Sequence, residues 1–286
     1  MKIKFTKMHG CGNDYVYINC FNQAFSEPEK LSVCLSDRRK SIGGDGIILI
    51  EPSSIADAKM RIFNKDGSEG KMCGNGVRCV AKYLYDSGMC KNQKDIKIET
   101  LSGVKTLEII ENSGNEAVVK VNMGKPSLKP SDIPVIIDKE KVVNESVSFG
   151  GTKYNITCVS VGNPHCVIFL DEIYSVNIRE IGSKLSSSNM FPEGVNVEFA
   201  SVMDKNNIAM RVWERGSGET LACGSGACAS VVAAVENGFC DRESDVNVHL
   251  RGGKLKVNFG KEDVFLIGNA VKVFEGEIEI WLNMFL

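Results

Sequence analysis

The chain lacks any apolar run approaching the roughly 18 residues that a bilayer-spanning helix needs. It also lacks an excess of either charge: 34 Lys and Arg against 36 Asp and Glu leave a formal net charge of −2. No basic field therefore draws it to nucleic acid or to an anionic membrane. The opening residues, Met1-Lys2-Ile3-Lys4-Phe5, carry neither the apolar core nor the cleavage site of an export signal, and the expected location is the cytoplasm. Cys-x-x-Cys is absent as well. What is present is a globular composition, with 43% hydrophobic and 24% charged residues over 286 positions. That length suits one large domain or two of ordinary size. The eleven cysteines are an odd number in a long chain, whereas a secreted disulfide framework belongs to short chains with paired cysteines. Reduced thiols are expected, most of them acting as small buried hydrophobes.

The chain resembles itself. Met60-Arg61-Ile62-Phe63-Asn64 matches Met210-Arg211-Val212-Trp213-Glu214 at an offset of 210 − 60 = 150. Without a gap, Cys73-Gly74-Asn75-Gly76 falls on Cys223-Gly224-Ser225-Gly226, and 223 − 73 is again 150. Gly12-Asn13 falls on Gly162-Asn163, and Gly44 on Gly194, in the same register. A fixed period points to duplicated units. The expectation is two homologous halves related by a pseudo-twofold axis, with a ligand crevice between them. They are drawn at residues 1–121, joined by C-terminal strands within 269–286, and at residues 122–268.

Local patterns agree. Tyr15-Val16-Tyr17-Ile18 and Val167-Ile168-Phe169-Leu170 are short β-prone runs after Gly-Asn turns. Gly46 to Ile50, Asn196 to Phe199, Lys59 to Phe63 and Ala209 to Trp213 read as further strands. Val77 to Ser87 and Ala227 to Asn237 read as helices, each followed by a stop glycine, Gly88 or Gly238. Gly124 to Pro130 reads as a linker. Val271 to Val273 and Glu277 to Trp281 read as terminal strands. Trp213 and Phe63 read as core, and His249 is assigned no role.

Each duplicated cysteine stands at the start of a helix, where unpaired N–H groups and a partial positive charge favour an anion. A thiol there is expected to have a lowered pKa. The N–H groups of Gly74, Asn75, Gly224 and Ser225 would cradle a carboxylate. Inverting a carbon centre requires a base on one face and an acid on the other, exchanging roles with direction. Two chemically alike thiols meet that requirement. Zinc fits less well: Cys223-x4-Cys228 has a usable spacing, but Cys73-x5-Cys79 does not. Gly224-Ser225-Gly226-Ala227-Cys228-Ala229 imitates a dinucleotide fingerprint, yet Leu221-Ala222-Cys223 is too short for the strand that must precede it. Two structural cysteines remain the plain alternative.

At these residues the chain resembles the diaminopimelate epimerases. The resemblance is carried by Met8-His9-Gly10-Cys11-Gly12-Asn13-Asp14, Phe63 to Ser68 and Met72-Cys73-Gly74-Asn75-Gly76-Val77-Arg78-Cys79. In the second half it is carried by Gly162-Asn163-Pro164-His165, Gly194-Val195-Asn196 and Trp213 through Gly226. It implies an α/β (α+β) fold of two pseudo-symmetric lobes, each a curled mixed β-sheet around a central helix. It further implies no cofactor, no metal and a homodimer acting on a small amino-acid substrate. Carried over, Cys73 and Cys223 exchange the proton. Asn13, Asn64, Asn163, Asn196, Glu214 and Arg215 bind substrate, with Gly74, Asn75, Gly224 and Ser225 at the reacting carboxylate. His165 and Glu214 tune the thiols. A guanidinium such as that of Arg215 can grip a second carboxylate bidentately. Taken singly, the Gly-Asn pairs also read as turns, Asn64 and Asn196 as backbone caps, and Glu214 with Arg215 as a solvated pair. Gly46 stands where some members carry a contacting glutamine, and Cys11 where an apolar residue is commoner. A histidine racemase of the same fold is the runner-up, and proline-type racemases differ by a His where this chain has Asn75. A silent binding relative is the reading from another class.

Overall fold

The computed structural model describes residues 2–90 and 92–280. The chain divides into two compact units, one running up to Val121 and resuming at Gly268, the other Asn122–Ile267. Among the described residues no helix is long and apolar enough to cross a membrane.

The C-terminal strand Val264–Glu279 starts in the second unit, where it pairs with Gly253–Phe259. From Gly268 it belongs to the first unit, where it pairs antiparallel with Lys2–Gly10, which pairs with Asn13–Asn19. The sheet continues through Gly46–Glu51 (parallel), Ala58–Asn64 (antiparallel) and Ile96–Thr100 (parallel). The hairpin Gly103–Ser113 and Glu116–Gly124 follows, and its second strand pairs back onto Val264–Glu279, closing the sheet. Helix α1 (Pro28–Ser36) packs Leu31 and Leu35 against Ile47, Leu49 and Phe63. Helix α2 (Gly74–Asp86) sits within the curl, with ten of its thirteen residues buried, including Val77, Val80, Ala81 and Leu84. A helix buried on nearly all sides must satisfy its polar side chains internally. Lys82 does so at Asn112 Oδ1 (2.9 Å), Gly114 O (3.0 Å) and Asp86 (2.9 Å).

The second unit repeats this plan. Thr152–Ser160 pairs with Glu145–Phe149 and with Pro164–Phe169, both antiparallel. Next come Asn196–Asp204 (parallel), Asn207–Glu214 (antiparallel), Asp245–Leu250 (parallel) and Gly253–Phe259 (antiparallel). Helix α3 (Ile178–Ser186) covers one face through Ile178 and Leu185, in a core with Val197, Phe199 and Phe191. Helix α4 (Gly224–Glu236) fills the other side, again with ten of thirteen residues buried. The ladders themselves are copies: Ile47 pairs with Phe63 and Val197 with Trp213, each offset by 150. The helices α1 and α3 obey the same offset, 178 − 28 = 150, although neither stands out in the sequence.

Several expectations change. Both central helices begin three residues earlier than their apolar pattern suggests, because their glycine-rich first turns are already helical. The stretch after Gly124 is not bare linker: Ser127 pairs with Ser160, and Pro130–Asp132 forms a 3-10 turn. The two terminal strands are one continuous strand, Val264–Glu279, paired along Lys2–Gly10 with a bulge at Lys7/Met8. Trp281, placed at its end by the sequence reading, lies outside the described residues. Gly12 (φ 77°) and Gly162 (φ 100°) take the left-handed turns that aim Asn13 and Asn163, a conformation costly for residues with a Cβ.

Candidate active site

In the first unit Cys73 is the N-cap of α2. It has extended backbone (φ −133°, ψ 119°), and its sulfur accepts the Gly76 N–H at 3.4 Å. The first intrahelical bond runs from Val77 N to Cys73 O, so the N–H groups of Gly74 and Asn75 precede it. The Cys73 thiol donates to Asn13 Oδ1 (3.4 Å), which also receives Asn75 Nδ2 (3.3 Å). Asn13 in turn donates Nδ2 to Asp45 (2.8 Å). Asp45 belongs to an ionic frame: Arg38 bridges Asp45 and Asp14, and Lys7 meets Asp14 at 2.8 Å. Behind the helix start lies Arg78, wholly buried, donating to Gly74 O (3.0 Å), Asn75 Oδ1 (3.0 Å) and Asn269 O (3.2 Å). A fixed cation there reinforces the positive end of α2.

The second unit builds its own version. Cys223 caps α4 (φ −125°, ψ 113°), its sulfur accepting from Gly226 N (3.3 Å) and lying 3.5 Å from Ser225 Oγ. Asn163 donates Nδ2 to Ser225 Oγ (3.3 Å). His165 stands between Asn163 Oδ1 (3.0 Å from Nε2) and Glu198 Oε1 (2.7 Å from Nδ1), both His165 and Glu198 fully buried. Glu214 accepts from Thr220 Oγ1.

The lowered thiol pKa expected at a helix start does not hold for Cys223. Burial pushes this thiol well above its ordinary value, Glu214 and Glu198 push it further, and the Ser225 and Gly226 donors pull only partly back. Desolvation and two nearby carboxyl groups outweigh the dipole, since burial disfavours the charged form. Glu214 is itself raised, first by burial and then by Glu198, with Thr220 and His165 opposing.

The structure brings together Cys73, Gly74, Asn75 and Asn13 in the first unit. In the second it groups Cys223, Gly224, Ser225, Asn163, His165 and Glu214. The other expected residues lie beside these groups and bind local backbone or side chains. Asn64 donates to Ser68 Oγ (3.0 Å). Asn196 spans Pro164 O (3.1 Å) and the Arg215 N–H (2.8 Å), as the backbone-cap alternative describes. The Arg215 guanidinium is exposed and donates to Glu193 O (2.7 Å). His249, given no role, faces Asn207 Oδ1 at 3.0 Å. Sequence reasoning missed Glu198, Asp45 and Arg78 as members of these clusters. For Glu198 a signal existed: the repeat places it over Ile48, so a carboxylate occupies a core position of its twin.

Fold and site together define a duplicated α/β protein with a cysteine-capped central helix in each unit. The same fold occurs in the crystal structure of a phenazine biosynthesis protein of the PhzF family from Bacillus anthracis. Its TM-score is 0.71 and its identity 18%, covering 98% of this chain and 100% of that one. A family model for diaminopimelate epimerase matches residues 5–129 and 157–273. The chain is 48% identical over 280 residues to the diaminopimelate epimerase of Acetivibrio thermocellus, covering 97% of this chain and 99% of the relative. It is 46% identical to that of Methanococcus maripaludis, covering 97% and 100%. The chain belongs to the diaminopimelate epimerase family.

Proposed function

We propose that the protein is an isomerase that inverts one α-carbon of LL-2,6-diaminopimelate to give the meso isomer, in the route to lysine and cell-wall precursors. Cys73 and Cys223 act as the base and acid on opposite faces of that carbon and exchange roles when the reaction runs backwards. The observation carrying this reading is that each unit presents the same device. A thiol caps a buried helix, beside first-turn N–H groups able to receive a carboxylate.

The chemistry follows from that device. Removing the α-proton sends negative charge onto the adjacent carboxylate, where fixed N–H donors stabilise the transition state more than the ground state. Cys223, kept protonated by burial and by Glu214 and Glu198, is suited to deliver a proton. The Gly226 N–H bond that its sulfur already accepts strengthens as the sulfur becomes a thiolate. Arg215 takes the far carboxylate, and Asn13, Asn64, Asn163 and Asn196 complete substrate binding. No cofactor is required for these steps. The working form is a cytoplasmic homodimer.

The test is incubation of the purified protein with LL-diaminopimelate in D₂O under reducing conditions. Deuterium at the α-carbon and formation of the meso isomer support the assignment. Exchange with histidine alone would move the substrate to that amino acid. Exchange with no amino acid would leave a binding protein.

A further inference from the structure

We propose that Arg78 is a positioning residue that acts through the Gly74–Asn75 peptide, making the Asn75 N–H a stronger donor to the charge that develops on the reacting carboxylate. The inference rests on the reading of the first turn of α2 as that carboxylate's cradle, and it adds the residue that drives the cradle. Arg78 is wholly buried and donates to Gly74 O (3.0 Å), Asn75 Oδ1 (3.0 Å) and Asn269 O (3.2 Å). All three acceptors are neutral, and among the described residues no carboxylate forms an ion pair with Arg78. Burying a cation without an opposite charge is costly, because nothing nearby offsets the lost hydration. The fold accepts that cost at the start of α2.

The direction of each bond is set by the chemistry of its ends. A guanidinium only donates and stays charged inside proteins, and a backbone carbonyl only accepts. Gly74 O and the Asn75 N–H belong to one planar peptide unit. Drawing electron density toward the oxygen leaves the N–H more positive, so the bond it makes on its far side is stronger. That N–H precedes the first intrahelical bond, Val77 N to Cys73 O, and is left for an outside acceptor. The second bond, to Asn75 Oδ1, holds the same residue by its side chain. A carboxylate gains charge as its neighbouring carbon loses a proton. A strengthened donor therefore lowers the transition state more than the bound ground state.

The surroundings fit this task. The charge of Arg78 is felt at two nearby thiols: burial raises both Cys11 and Cys79, and Arg78 is among the groups that pull each back. Gly10 leaves room for the guanidinium, since a Cβ there would stand 2.8 Å from Nη2. The second unit has no counterpart. Its corresponding position, 78 + 150 = 228, is the buried Cys228, and its capping cysteine has Glu214 and Glu198 for neighbours. The helix start built to take up negative charge is that of α2.

The test compares Arg78→Lys, which keeps the charge, with Arg78→Gln, which keeps an N–H donor without it. Epimerisation of LL-diaminopimelate is measured against substrate concentration in both variants and in the wild-type chain. Arg78→Gln should lower kcat about hundredfold while KM changes less than about threefold, as when support for a developing oxyanion is removed. Arg78→Lys should recover at least about tenfold of that loss. Without substrate, a spectrum correlating ¹³C-carbonyl glycine with ¹⁵N-asparagine reports the Gly74–Asn75 peptide. The Gly74 carbonyl should move upfield in Arg78→Gln and move less in Arg78→Lys. Equal losses in the two variants would mean that Arg78 only packs, and would overturn the proposal. A raised KM at unchanged kcat, or a Gly74 carbonyl unmoved in Arg78→Gln, would overturn it too. If Arg78→Gln does not fold, Arg78→Lys decides alone, and a kcat loss as large as about hundredfold in it would refute the role of the charge. A wild-type chain that epimerises nothing but shows these carbonyl shifts would sink the proposed function and leave the polarised peptide standing.

Discussion

Asp14→Asn probes the ionic frame behind Asn13 and should destabilise the first unit measurably. The Asp14 side chain is 16% exposed and meets Lys7, 9% exposed, at 2.8 Å. It also accepts two bonds from Arg38, whose side chain is 57% exposed. The Arg38 pair is solvent-screened and contributes at most about 1 kcal/mol. Lys7 is the larger effect, since removing one partner of a buried pair costs about 3–5 kcal/mol. Part of that is offset, because Lys7 also donates to Gly43 O and the new amide oxygen still accepts. A net loss of about 2–3 kcal/mol remains. Burial pushes the Asp14 carboxyl up, but the bonds and charges of Arg38 and Lys7 outweigh it, so its pKa lies below the ordinary value. A depressed folded pKa gives stability that is present above the unfolded value of about 4 and lost as pH falls through the folded one. Urea unfolding followed by circular dichroism should therefore show a large gap between wild-type and variant at neutral pH and a smaller one near about pH 3. Adding Lys7→Met should restore most of the loss, since no buried charge is then left unpaired. A gap below about 0.5 kcal/mol, or one that Lys7→Met does not relieve, would refute the reasoning.

Other outcomes follow from the two caps. Cys73→Ala and Cys223→Ala should each abolish epimerisation of diaminopimelate while circular dichroism stays native, because losing a capping acceptor costs only about 1 kcal/mol. Retained turnover in either would contradict the two-thiol mechanism. Glu214→Gln removes a charge that raises the Cys223 thiol. Its Cys223 peptide should alkylate faster than wild type at equal pH, and unchanged labelling would show that Glu214 does not reach the sulfur. Gly226→Ala places a Cβ 2.7 Å from the buried Glu198 Oε1, so the usual helix gain of about 1 kcal/mol over glycine should be reversed into a loss. A higher unfolding midpoint in that variant would show that Glu198 has room to move.

Much of the site was legible because it is written twice. The register between Cys73-Gly74-Asn75-Gly76 and Cys223-Gly224-Ser225-Gly226 marked both caps, and the turn glycines Gly12 and Gly162 marked the asparagines beside them. The helices α1 and α3 were not legible: their patterns are short, and Pro28 or Asn177 alone does not announce a start. Asn64 and Asn196 show the limit of residue type, since an amide that suits a substrate suits a neighbouring hydroxyl or backbone group equally well.

By itself the sequence determined the duplication, the family and the two thiols, because these depend on residue identity at a fixed period. Tertiary structure alone decided the electrostatics of each half. Glu198 sits in a strand whose alternation only says that it faces inward, and not that His165 on the adjacent parallel strand stands at hydrogen-bond distance. Arg78 reads as an ordinary helical arginine until the closed sheet buries it against Gly74 and Asn75. The direction of the Cys223 pKa likewise follows from how much water is excluded and which carboxylates converge. Those are sums over residues far apart in the chain, and no local pattern contains them.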